Sequence, residues 1–131
     1  MTSASLATQG AKRVPGAQIA STLSDHTAYA EYTMPYRKNR QGSTWAEYYA
    51  SDSTYYYKSG RLSFVGKWTV EGDNICYFQE DAKGCGPVYD LNGVLYLQSD
   101  QPDRYQGKVI AKIVRVEPGD AAHLKDSISP R

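Results

Sequence analysis

From Leu62 to Val70, large apolar and polar side chains alternate. Leu62, Phe64, Gly66, Trp68 and Val70 fall on one set of positions, and Arg61, Ser63, Lys67 and Thr69 fall on the other. A period of two belongs to a strand with one face buried and one face in water. The run passes through the turn residues Glu71-Gly72-Asp73 toward Cys76 and Cys85, which predicts a β-hairpin with two cysteines flanking a turn-rich loop. Most of the chain divides the same way. Strands are predicted at 27–33, 43–49, 54–58, 62–70, 74–79, 87–90, 94–98 and 108–116. Turn chemistry separates them, Asn92-Gly93 being the strongest hairpin signal. The last segment satisfies a helical period as well, and its β-branched residues decide for strand.

The flanks read differently. Residues 1–14 are Ser-, Thr- and Ala-rich without periodicity, and composition predicts a disordered leader ahead of a single domain over 15–131. Pro15 opens a short helix with Ile19 and Leu23 four apart on one face. After Pro118-Gly119, Asp120 is placed to cap a brief helix through Leu124, leaving 126–131 frayed. Eight short strands in sequence need closure, because an open sheet would leave long edges unpaired. The expected fold is all-β, a single antiparallel meander forming a small barrel or curled sheet with a short N-terminal helix.

Composition adds that tyrosine, at twelve residues, replaces phenylalanine, at two, as the main aromatic. Tyrosines suit half-buried sheet positions where the ring packs and the hydroxyl keeps a polar partner. The formal net charge of +1 gives no general drive toward nucleic acid or an anionic membrane. Residues 1–40 carry five basic and two acidic side chains, and the remainder ten and twelve, so a modest positive bias sits at the front. No apolar run is long enough to span a bilayer.

Cys76 and Cys85 are expected to form a structural disulfide; a free thiol pair is the next reading, and a redox or metal pair is disfavoured by the missing C-x-x-C geometry. A disulfide favours a periplasmic or secreted location, with cytoplasmic as the alternative. The N-terminus has no apolar core region after Lys12 and Arg13, so an exported chain would have lost its leader. The run Gly66-Lys67-Trp68-Thr69-Val70-Glu71-Gly72-Asp73-Asn74-Ile75-Cys76 resembles the G-x-W-x-V-x-G-x-x-x-C hairpin of small exported all-β proteins of alphaproteobacteria. That resemblance implies an envelope or secreted location and a β-meander, and no reaction.

Candidate chemistry is sparse. Trp45, Tyr48, Tyr49, Tyr55, Tyr56 and Tyr57 cover both faces of one hairpin, so one face is core and the other is either sheet packing or a binding surface, with Trp45, Tyr48 and Tyr56 the residues singled out. Arg37, Lys38 and Arg40 form a basic loop that is either solvated or grips a phosphate, sulfated glycan or lipid headgroup. Glu47 falls between Trp45 and Tyr49 on the same face: a plain strand residue if that face is wet, an acid of raised pKa if it lines a cavity. His26 and His123 are too far apart in sequence to suggest a metal, and Glu80-Asp81 and Asp100 with Asp103 sit in polar turns. The leading expectation is a non-enzymatic binding module with a protein or glycan partner and no cofactor, metal or nucleic acid. The alternatives are a small-ligand carrier or inhibitor, and a hydrolase using Glu47.

Overall fold

The computed structural model describes residues 2–79 and 82–128. The elements are α1 (Ser3–Thr8), β1 (Lys12–Arg13), α2 (Gly16–Leu23), β2 (His26–Tyr32), β3 (Thr44–Tyr49), β4 (Thr54–Ser59), β5 (Leu62–Glu71), β6 (Asn74–Gln79), β7 (Ala82–Leu91), β8 (Val94–Gln98), β9 (Val109–Pro118) and α3 (Leu124–Ile128). Strands β2 to β9 pair antiparallel in sequence order, and β9 pairs back onto β2, closing an eight-stranded barrel. The seam sets Thr27 opposite Glu117 and Tyr32 opposite Ala111, with a bulge at Tyr29/Ala30 that leaves Val114 outside. Closure removes the edges that an open meander would expose. Cys76 and Cys85 lie directly opposite each other on β6 and β7 and form the disulfide, with Cα atoms 4.0 Å apart.

Alternation decides what fills the barrel. Ala28, Ala30, Trp45, Tyr49, Tyr55, Tyr57, Trp68, Ile75, Val88, Leu97, Ala111 and Ile113 form one buried cluster with Ile19 and Leu23 of α2. The Trp68 indole N–H donates to the Ala50 carbonyl (3.0 Å), and its ring stands edge-on to Tyr49. Leu62 departs from the expected apolar face. It pairs with Ser59 at the tip of the β4–β5 hairpin, beyond the packed interior, and is 55% exposed.

The meander sends its connections alternately to two ends. At one end lie the turns after α2, β3, β5, β7 and β9. Helix α2 packs there against the β5–β6 turn. Gly16 is required at the contact, because a Cβ would stand 1.9 Å from the Gly72 carbonyl oxygen. Pro15, at the helix start, has no capping side chain, and the Asp73 carboxylate supplies the cap by accepting from the Gly16 N–H (2.8 Å). Asp120 likewise accepts from the N–H groups of Leu124 and Lys125, but α3 begins at Leu124, where the expected helix ended, so residues 126–128, expected to be frayed, are helical. At the other end lie the β2–β3, β4–β5 and β8–β9 loops, the last seated on Gly86, where a Cβ would meet the Gln98 carbonyl at 1.7 Å.

The leader expected to be disordered is built into the structure. Thr2 and Ser5 form a capping box for α1, Leu6 is fully buried, and β1 extends the sheet by pairing with Tyr89 and Asp90 of β7. Composition missed this because a single leucine and two pairing residues suffice when a neighbouring barrel wall supplies the rest. Glu80 and Asp81 lie outside the described residues. Among the described residues no helix is long and apolar enough to cross a membrane.

Candidate functional site

The β3–β4 hairpin sets Glu47 opposite Tyr57, Tyr48 opposite Tyr56, and Tyr49 opposite Tyr55. Since facing residues share a side of the sheet, Trp45, Glu47, Tyr49, Tyr55 and Tyr57 all point inward, while Tyr48 and Tyr56 point outward. The side bearing Glu47 faces the barrel interior, and Glu47 is 1% exposed. Three donors converge on its carboxyl: the Trp45 indole N–H at 2.8 Å and the Tyr55 hydroxyl on Oε1, and the Tyr49 hydroxyl on Oε2. Tyr49 also shares a hydrogen bond with the Tyr77 hydroxyl (2.7 Å), and Tyr32 with Tyr57 (3.0 Å). Burial pushes the Glu47 pKa up against the pull of its three hydrogen bonds, and pushes the Tyr49, Tyr55 and Tyr77 phenols well up. Such a cage holds a carboxyl in the centre of the barrel, and every facing group is a phenol or an indole. Among the described residues no second carboxylate is hydrogen-bonded within it.

The outward tyrosines are not a bare surface. Tyr48 and Tyr56 stack with centroids 6.0 Å apart and are 9% and 7% exposed, covered by Leu124 of α3 together with Ala50. The Tyr48 hydroxyl donates to Asp25 (2.7 Å), and this bond, ahead of burial, raises its pKa to about 12. The sequence offered Trp45, Tyr48 and Tyr56 as an exposed set. The structure divides them between the barrel interior and the groove beneath α3, a cover that a five-residue helix near the chain end gave little reason to expect.

Arg37, Lys38 and Arg40 do project from the β2–β3 loop into solvent. A short turn bridging Tyr36 and Asn39 shapes the loop, with Arg37 in the left-handed region (φ 54°). The β8–β9 loop leans on it. The Tyr105 ring packs on Tyr36 with centroids 4.6 Å apart, and its hydroxyl accepts from the Arg37 backbone N–H (2.9 Å) and from Arg104 (2.7 Å). The Arg37 and Arg104 guanidinium groups lie over the Tyr36 and Tyr105 rings, 5.2 and 4.9 Å from their centroids. The Arg37 bond leads the causes that lower the Tyr105 pKa. Two arginines are thus shelved on two packed tyrosines at one barrel rim. Sequence reasoning missed Arg104 and Tyr105, because only the topology reveals that loops more than sixty residues apart share an end.

A crevice of about 320 Å³ opens at the opposite end, between α2 and strands β7 to β9. Ile19, Leu23, Val88, Leu95 and Ile113 line its depth, and Gln18, Thr22 and Asp90 are among its polar lining. The one place among the described residues where three potential metal ligands converge is Glu71 with Cys76 and Cys85, and the disulfide occupies both sulfurs. Comparison with protein families, with curated proteins and with solved structures gave no match for this chain.

Proposed function

We propose that this protein is a non-enzymatic binding module of the bacterial envelope that engages its partner through the rim of Arg37, Lys38 and Arg40, backed by Tyr36, Arg104 and Tyr105. One observation carries the reading: the loop of exposed Arg37, Lys38 and Arg40 has no acidic residue and is braced at Arg37, whose backbone N–H donates to the Tyr105 hydroxyl and whose guanidinium lies over Tyr36, while Arg104 of the β8–β9 loop donates to the same phenol. The Glu47 cage argues the same way, since a carboxyl already accepting three bonds and enclosed by rings is poorly placed to meet a substrate. Export is supported by the disulfide, a bond that persists in oxidising compartments. The bacterial envelope enters through the sequence resemblance alone.

The test compares wild type with an Arg37→Ala, Lys38→Ala, Arg40→Ala variant in cross-linked capture from an envelope extract, with thermal melts to establish that both are folded. A protein or glycan recovered by wild type and lost by the folded variant supports the rim. Equal recovery by both overturns it. A second reading, a small-ligand carrier, is favoured by the crevice under α2, whose volume and apolar depth suit a small apolar ligand. Filling that crevice with Leu95→Trp should abolish binding of an environment-sensitive apolar dye if this reading holds, and leave it unchanged otherwise.

A further inference from the structure

Among the described residues, loops at the two ends of the barrel differ in charge, which the net value of +1 conceals. The β2–β3 loop, residues 33–43, contains Arg37, Lys38 and Arg40 and no acidic residue. The tip of the β4–β5 hairpin adds Arg61. All four are exposed, and Lys38, Arg40 and Arg61 form no ion pair among the described residues. The turns of the opposite end carry Asp25, Asp52, Asp73 and Asp120 without a lysine or arginine among them. The two basic loops are neighbours: the Ser59 hydroxyl donates to the Thr44 carbonyl (2.8 Å), and Gly60 borders the same surface groove as Thr44. Leu62, one of two exposed large apolar side chains identified among the described residues, stands beside Arg61 at the hairpin tip. Asp100 and Asp103 belong to the β8–β9 loop, and Asp103 is close enough for its charge to act on Arg37, so the basic sector is that of the β2–β3 and β4–β5 loops.

Resting on the rim reading above, we propose that the partner is an anionic lipid surface, met end-on by the β2–β3 and β4–β5 loops. Unpaired cations on two adjacent loops are attracted to acidic headgroups, the neighbouring leucine reaches the headgroup and acyl boundary, and the aspartate-bearing end is repelled, which fixes the orientation. A charge pattern of this kind is read within a Debye length, so the attraction weakens with salt.

Cosedimentation of the full chain with vesicles of phosphatidylcholine alone, or with added phosphatidylglycerol, tests the proposal. Wild type is expected to pellet with the anionic vesicles and not the neutral ones, and to be released by salt. Lys38→Ala, Arg40→Ala and Arg61→Ala should each weaken the partition about fivefold, the loss expected for one basic residue at such a surface. Leu62→Ser should remove the fraction that stays bound at high salt. No binding to either vesicle, equal binding to both, or binding indifferent to these substitutions would overturn the proposal. If vesicles fail while a soluble partner is still captured through Arg37, Lys38 and Arg40, the lipid inference falls and the binding module stands. If rim substitutions alter neither readout, both fall.

Discussion

The aspartates of one end and the basic residues of the other make an instructive pair. Asp73 caps α2, Asp120 caps α3, Asp25 accepts the Tyr48 hydroxyl, and Asp52 accepts the Thr54 N–H at 2.9 Å. Each carboxylate is consumed by local structure. At the other rim Lys38, Arg40 and Arg61 meet no acidic partner among the described residues. Side chains that the fold does not use for its own hydrogen bonds and ion pairs are free to meet something else, and the two ends separate these uses within one small barrel.

The contrast can be broken most forcefully at the acidic end. Trp68→Ala should cost about 3 to 5 kcal/mol in denaturant unfolding, because a large indole and its bond to the Ala50 carbonyl are lost from a packed interior. A loss below about 1 kcal/mol would mean that the wall there relaxes around the gap. Reducing Cys76–Cys85, which belongs to neither end, should cost about 2 to 3 kcal/mol by the loop-entropy argument, and an unchanged melt on reduction would refute that.

Glu47 gives an effect set by pH. Its folded pKa lies above the unfolded carboxyl value of about 4.3, so the neutral form favours folding. Its contribution is complete below about pH 4, is lost as pH climbs through the raised value, and is constant beyond. Unfolding midpoints of wild type should fall over that window relative to Glu47→Gln; parallel profiles would show the cage holding its carboxyl without a shift.

Smaller still, Asp73→Ala and Asp120→Ala should each cost about 1 kcal/mol through a lost helix cap. Lys38→Ala, Arg40→Ala and Arg61→Ala should stay within about 0.5 kcal/mol. If the basic set destabilised as much as the aspartates, the difference between the two ends would vanish.

Much of the barrel was legible because strand period and turn chemistry are local properties. The eight strands lie close to their expected bounds, extending furthest at β7, where Gly84, Gly86 and Pro87 obscured the alternation over 82–86. The inward set of Trp45, Glu47 and Tyr49 followed from counting by two. What could not be read was whether that face would be wet, since Glu47 looks like any soluble strand residue until three donors surround it. Nor could the sequence show that α3 covers Tyr48 and Tyr56, or that Tyr105 would brace Arg37. These contacts join segments dozens of residues apart, and no local signal encodes their meeting.

The seam between β2 and β9 bears on how such a chain reaches its final form. Thr27, at the start of the barrel, donates to the carbonyl of Gly119, 92 positions away. Among β2 to β9 each other pairing joins consecutive strands and can assemble locally, whereas this one must wait for the last strand to emerge, with the loop-closure entropy of nearly the whole domain set against it. A chain ending before Val109 would keep its row of hairpins but expose the free sides of β2 and β8, two edges open to pairing between molecules. The barrel is thus complete or hazardous, with the decision resting on its final strand.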